Sequence, residues 1–133
     1  TAQPSRREFR YENPRSARAE EGLIRLLYLD PGLARGKELP EPEQFSSPLL
    51  GRFYRELRQR AENGAPISMA VLAGRFTPEE LGHLTSILEG TEDLSRGEQA
   101  LSDYIGVIAA QSGEQEDLLQ LAQRKRKNNR YGG

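Results

Sequence analysis

Side chains that could carry out chemistry are few in this chain of 133 residues. His83 is its one histidine and there is no cysteine, so neither a two-histidine metal site nor a cysteine–histidine pair can form. His83 stands beside Leu84 in a segment with the apolar spacing of an amphipathic helix. We therefore interpret it as a boundary or surface histidine and not as a catalytic base.

Three pairs of adjacent acidic residues are the other candidates for acid–base chemistry or metal binding. The pairs are Glu20-Glu21, Glu79-Glu80 and Glu92-Asp93. Neighbours on a helix point about 100° apart, so their carboxylates do not converge on one proton or one ion. Each pair also lies at or near a predicted helix start, where negative charge stabilises the helix dipole. We expect all three to be structural.

Motifs for phosphate binding and nucleophilic catalysis are absent from the sequence. The chain contains no G-x-x-x-x-G-K-[ST], no G-x-G-x-x-G and no G-x-S-x-G. With the reactive residue types also missing, we predict that this chain is not an enzyme and holds no cofactor or metal. The remaining class of function is binding to another macromolecule.

Charge is unevenly distributed although the net charge is only −1. Residues 1–18 carry a net +3, residues 114–133 a net +2 and the middle of the chain a net −6. An acidic centre is unfavourable for a nucleic-acid groove, so we do not expect direct nucleic-acid binding. The lack of cysteine, of a signal peptide and of an apolar run near ~20 residues predicts a cytoplasmic chain without a membrane partner.

Apolar spacing and capping signals together predict an all-α fold. Apolar residues recur at i, i+3 and i+4 along successive segments, and no segment alternates with period two. Ser47-Pro48 is typical of a helix start, Asn63-Gly64 of a helix end, and Thr77 with Glu80 of a capping box. The prediction is a small bundle of about five to six helices followed by a C-terminal helix or a short helical hairpin.

The same signals divide the chain into three parts. Residues 1–16 are polar and read as a flexible linker, such as cutting a longer protein would expose. Residues 17–94 are predicted to form the helical bundle, and residues 95–133 a C-terminal helical extension with a basic tail. Within that extension we expect Gly113 to break one helix and a final helix to cover about residues 114–128.

The final stretch, LLQLAQRKRKNNRYGG, contains the candidate binding residues. A helix of about 15 residues with so few apolar groups is marginal alone, so the bundle or a partner must hold it. The leucines could complete the intramolecular core, or they could insert into a partner's groove while the cations face an acidic surface. The candidate partner-binding residues are Leu118, Leu119, Leu121, Ala122, Arg124, Lys125, Lys127 and Tyr131.

Several stretches carry a resemblance to a known family. They are ARAEEGLIRLLYLDPGL, Phe45 with Ser47-Pro48, RFYRELRQRAENGAPISMAVL, TPEELGHLTSIL and EQALSDYIGVI. In this order they resemble the helicase-interaction domain at the C-terminus of bacterial DnaG-type DNA primases. The likeness covers roughly residues 17–108, and the sequence after Ile108 is short and interrupted by glycine where the family often has a long connecting helix.

The resemblance implies a function for the chain as part of a larger primase. Such domains dock on the N-terminal domains of the hexameric DnaB-type replicative helicase, and docking recruits and modulates primer synthesis at the fork. Zinc and magnesium would then belong only to the remaining parts of the parent protein, which would act in the bacterial nucleoid. In that family a terminal helical hairpin makes much of the helicase contact.

Two alternatives remain open at the level of sequence. The N-terminal domain of the replicative helicase itself is similar to the primase domain in fold and hydrophobic pattern. A small nucleic-acid-binding module would instead use the cations of the tail, which are Arg124, Lys125, Arg126, Lys127 and Arg130.

Overall fold

The protein is an all-α chain in the computed structural model, which describes residues 11–90, 92 and 94–132, the last ten of these by their backbone alone. Five α-helices occur in this part: α1 Pro14–Leu29, α2 Pro48–Asn63, α3 Met69–Leu72, α4 Pro78–Leu88 and α5 Gly97–Gly132. Short 3-10 turns at Pro31–Ala34, Pro42–Gln44 and Leu94–Arg96 connect them. The predicted fold class is confirmed.

Helix α1 begins earlier than predicted. Asn13 caps it, because the Asn13 side chain accepts the backbone N–H of Ser16 at 3.1 Å, and Pro14 occupies the first helical position. Residues 14–16 are therefore helical and Ser16 is buried, so the predicted linker does not extend to residue 16. Residues 1–10 of that linker lie outside the described part.

Capping signals in the middle of the chain are confirmed. Ser47 caps α2 by accepting the Leu50 N–H at 3.3 Å, and Gly64 ends it with a positive φ of 64°. Thr77 and Glu80 form the capping box of α4, with the Glu80 N–H bonded to the Thr77 hydroxyl at 3.1 Å and the Thr77 N–H to the Glu80 carboxylate at 2.9 Å.

One hydrophobic core joins all five helices. Its fully buried large side chains are Leu23, Ile24, Leu26, Leu27, Leu50, Phe53, Tyr54, Leu57, Leu72, Leu84, Leu101 and Ile108. Each buried Leu or Ile contributes roughly 1.5–3 kcal/mol relative to an exposed one. Because Leu101 and Ile108 belong to this cluster, the bundle does not end at residue 94, and the first half of α5 is part of it.

Helix α5 is continuous through Gly113, contrary to the predicted break. A glycine inside a helix costs only about 1 kcal/mol relative to alanine, and no proline follows to force an end. Flanking Gln, Glu and Leu residues have good helix propensity and carry the helix on. In the described part of the chain, the C-terminal extension is therefore one long helix and not a helical hairpin.

Candidate partner-binding surface on the last helix

The second half of α5 leaves the bundle. Gln111 is the last buried residue among the described side chains of the helix, and its Nε2 donates to the carbonyl of Gln44 at 2.5 Å. Ser112 is half-buried, and every described side chain from residue 113 to residue 122 is exposed. We call residues 113–132, all helical in backbone, the projecting segment.

Leucines of the projecting segment are unusually open to solvent. The exposed fractions of Leu118, Leu119 and Leu121 are 60%, 64% and 49%. Leucine is normally among the most buried residues, so an exposed apolar cluster of this kind is a candidate interaction surface. Of the two interpretations open at the sequence level, completion of the intramolecular core does not hold for these three residues.

Part of this exposed apolar set continues the face of α5 that the bundle buries. Positions seven apart lie close to one line along a helix, and Leu101, Ile108 and Ala122 follow this spacing. Leu118 stands four positions before Ala122 and lies beside the same line, whereas Leu121, one position before Ala122, points about 100° away from it. The projecting segment therefore extends a core-forming stripe into solvent, with Gln115 as a polar interruption.

Only part of the predicted binding set lies within the described side chains. Leu118, Leu119, Leu121 and Ala122 form one exposed surface. The side chains of Arg124, Lys125, Lys127 and Tyr131 lie outside the described part, so their prediction stays untested. Their backbone continues the same helix, where cations near its C-terminal end are stabilised by the helix dipole.

Acidic groups surround the base of the projecting segment. Glu114, Glu116 and Asp117 are exposed on its first turns. Beside Gln111 and Gln115 lies a cleft of about 390 Å³, with Glu12 and Glu43 among its lining residues. Glu43 is partly neutralised, because its carboxylate is 2.7 Å from Arg55. The surface is thus acidic near the bundle, while the sequence is basic toward the end of the helix.

Glu20, from the first acidic pair, lies in a buried hydrogen-bond network. Glu20 is fully buried on α1, and its carboxylate accepts four hydrogen bonds from three serines. The donors are the Ser16 hydroxyl at 2.6 Å, the Ser46 hydroxyl at 2.6 Å, the Ser46 N–H at 2.9 Å and the Ser47 N–H at 3.2 Å. This arrangement fixes the start of α2 against α1.

The prediction that each acidic pair stabilises the dipole at a helix start is wrong for Glu20, since this residue lies almost two turns into α1. It holds for Glu80, where the Thr77 N–H, followed by Arg52, lowers the pKa of the carboxyl. Glu92 instead forms an ion pair with Arg25 at 2.6 Å and accepts the Tyr104 hydroxyl at 3.0 Å, while Asp93 lies outside the described residues. Long-range partners of this kind leave no local sequence signal.

His83 is half-buried in a cluster that the sequence did not reveal. The hydroxyl of Tyr11 donates to the Glu21 carboxylate at 2.6 Å and lies 2.5 Å from the Nε2 atom of His83. Burial lowers the pKa of His83, and the Glu21 charge opposes this shift. Burial also raises the pKa of Tyr11, so the phenol stays protonated at neutral pH. The cluster connects the residues before α1 to α1 and α4.

Metal binding and membrane insertion find no support in the described part of the chain. No group of three or more His, Cys, Asp or Glu residues there could hold a metal ion. None of the described helices has the length and apolarity needed to cross a bilayer.

Comparison of the chain with protein-family models, with curated proteins and with solved structures gives no match. The resemblance to the primase domain therefore rests on the sequence stretches named above and stays a prediction.

Proposed function

We propose that this chain is a non-catalytic interaction domain of a DNA primase that docks on the N-terminal domains of the hexameric replicative helicase. Docking would recruit and modulate primer synthesis, while catalysis, zinc and magnesium would reside in other parts of the parent protein in the cytoplasm. The observation that supports this proposal is the exposure of Leu118, Leu119 and Leu121 on a helix that extends beyond its own core.

Apolar burial supplies the driving force for docking. Full burial of a leucine contributes roughly 1.5–3 kcal/mol, and these leucines are about half to two-thirds exposed in the free chain. Association costs at least about 4 kcal/mol of translational and rotational freedom, so three leucines alone support only modest affinity. The expected dissociation constant is in the micromolar range, as suits a contact made and broken during replication.

The expected docking mode is that of an amphipathic helix in a groove. Leu118, Leu121 and Ala122 would enter an apolar groove between helices of the helicase domain. The cations that follow in sequence would lie along its rim, where an acidic surface raises the association rate and its dependence on salt. In this mode the bundle serves as a rigid base for the projecting segment.

Calorimetry with the purified helicase N-terminal domains tests the proposal. We expect the double variant Leu118→Asp/Leu121→Asp to weaken binding at least about tenfold, because two charges would enter the apolar groove. Gln120→Asp is the matched control, since it adds a charge to the same turn on the opposite face. Wild type that shows no association at tens of micromolar would contradict the proposal.

Stability measurements separate loss of docking from loss of folding. Because the leucines are exposed, the double variant should unfold at the same urea concentration as wild type. Titration of a fluorescent oligonucleotide at two salt concentrations tests the competing nucleic-acid module. That module requires a slope near −0.9 per phosphate contact in a plot of log affinity against log salt concentration.

A further inference from the structure

The projecting segment has a sequence symmetry about Gln120. Its apolar residues stand at equal distances on either side, with Leu118 and Leu119 before Gln120 and Leu121 and Ala122 after it. The charges of the segment change sign about the same point, from acidic before Gln120 to basic after it. Three acidic residues lie three to six positions before Gln120, and four cations lie four to seven positions after it; they are Glu114, Glu116, Asp117, Arg124, Lys125, Arg126 and Lys127.

We propose that a second copy of this chain covers the exposed leucines by antiparallel pairing of the two projecting segments about Gln120. A two-fold axis at this position sets residue 118 of one helix level with residue 122 of the other, and residue 119 level with residue 121. Leu118 of one helix then meets Ala122 of the other at the centre of the contact, with Leu119 and Leu121 on its two flanks. The contact is isologous, so it closes as a dimer and does not propagate.

Charge decides between the antiparallel and the parallel arrangement. In the antiparallel dimer the acidic stretch of each helix lies alongside the cationic stretch of its partner. In a parallel dimer acidic residues would lie beside acidic residues and cations beside cations. Like charges within the ~10 Å Debye length repel, and opposite charges attract, so only the antiparallel dimer is favoured at both ends.

The cleft at the base of the projecting segment extends this complementarity. Gln111, Ser112 and Gln115 line the cleft. Residues 111–115 lie level with residues 125–129 of the second copy, a stretch that contains Lys125, Arg126 and Lys127. Glu12 at the cleft would add to the negative charge that this stretch meets, while Glu43 is partly neutralised by Arg55. Each helix would thus bring its basic tail to the acidic base of the other.

The size of the contact sets the expected affinity. A segment of 20 residues is about 30 Å long, at a rise of 1.5 Å per residue. One pair of helices over this length falls in the weak, reversible class that buries less than about 1,200 Å². We therefore expect a dissociation constant of about 10–100 µM and exchange between monomer and dimer.

Self-association would use the leucines that the proposed function assigns to the helicase. Dimerisation and helicase docking would then exclude each other, and free chain would be held in a form that cannot dock until it dissociates. The dimer itself does not depend on the proposed function. A monomeric chain that binds helicase would refute the dimer alone, and a dimer that ignores helicase would refute the docking alone.

Sedimentation equilibrium of the full chain from about 10 to about 500 µM tests the dimer. Wild type should pass from monomer to dimer, while Leu118→Asp/Leu121→Asp should stay monomeric with unchanged helical circular dichroism. Wild type that is monomeric at the highest concentration would overturn the proposal, as would a dimer that survives the two aspartates.

Charge reversal tests whether opposite charges hold the two projecting segments together. One variant carries Glu114→Lys, Glu116→Lys and Asp117→Lys, and a second carries Arg124→Glu, Lys125→Glu and Arg126→Glu. Each projecting segment then has mostly one sign of charge, so each variant alone should be monomeric at concentrations where wild type is dimeric. Mixed in equal amounts they should form a heterodimer. Failure of the mixture to associate would overturn the role given to the charges.

Disulfide trapping determines the register, because the natural chain has no cysteine. Leu118→Cys and Ala122→Cys, each in a separate chain, should cross-link to each other when mixed under oxidation, since the two positions are level in the antiparallel dimer. Each variant alone should cross-link poorly. Efficient cross-linking of Leu118→Cys with itself would indicate a parallel pair and would overturn the proposal.

Discussion

The carboxylate of Glu20 accepts the backbone N–H of Ser47 at 3.2 Å, so a buried residue on α1 binds the residue that caps α2. A negative charge at this place also faces the positive end of the α2 dipole. Because Ser16 and Ser46 supply the other donors, the charge is fully hydrogen-bonded where water cannot reach it.

Glu20→Gln should lower the free energy of unfolding by about 1–3 kcal/mol. The amide keeps the shape of the carboxylate but removes the charge, and its NH2 group would face donors and not acceptors. Urea unfolding followed by circular dichroism measures the difference. Glu79→Gln is the control, since Glu79 is exposed and its substitution should change stability by less than about 0.5 kcal/mol. Equal stability of the two variants would show that the Glu20 network contributes nothing.

Gly22 on α1 packs against the ring of Tyr104 on α5, and a Cβ atom at residue 22 would overlap that ring. Gly22→Ala should therefore destabilise the chain by about 1–3 kcal/mol, although alanine favours the helix. Gly82→Ala is the matched control inside α4, where a Cβ meets no atom within 4 Å. It should stabilise by up to about 1 kcal/mol, as the intrinsic helix preference predicts. Thermal unfolding of both variants tests whether their effects have opposite signs.

His83 should make stability depend on pH in the mildly acidic range. Burial lowers the pKa of His83 in the folded chain below its value of about 6.5 in the unfolded chain, although Glu21 opposes the shift. The unfolded chain therefore binds more protons, and stability rises with pH in this interval. The contribution is fully present above about pH 6.5 and is lost as pH falls through the lower, folded pKa.

His83→Gln removes this titration and retains a polar group near Tyr11. Between about pH 7.5 and about pH 5, wild type should lose more stability than the variant, as measured by urea midpoints at each pH. Parallel pH profiles of wild type and variant would mean that His83 does not contribute.

Short-range signals suffice to predict that this chain is helical and where most of its helices begin. The hydroxyls of Ser47 and Thr77 accept backbone N–H groups three residues away, so their capping roles can be predicted from a few neighbouring residues. Spacing at three and four positions likewise marks the faces of Leu23, Leu50 and Leu84, because helical geometry alone brings those positions together.

Long-range packing decides the features that the local sequence does not determine. Three of the four hydrogen bonds to Glu20 come from serines 26 and 27 positions later, which no local pattern relates to it. Gly113 ends a helix or lies within one according to the support its neighbours receive, and here α5 is anchored by Leu101 and Ile108 before it reaches the glycine. The stripe of Leu118 and Leu121 looks like core in sequence, yet these residues stay in solvent because the bundle ends at Gln111.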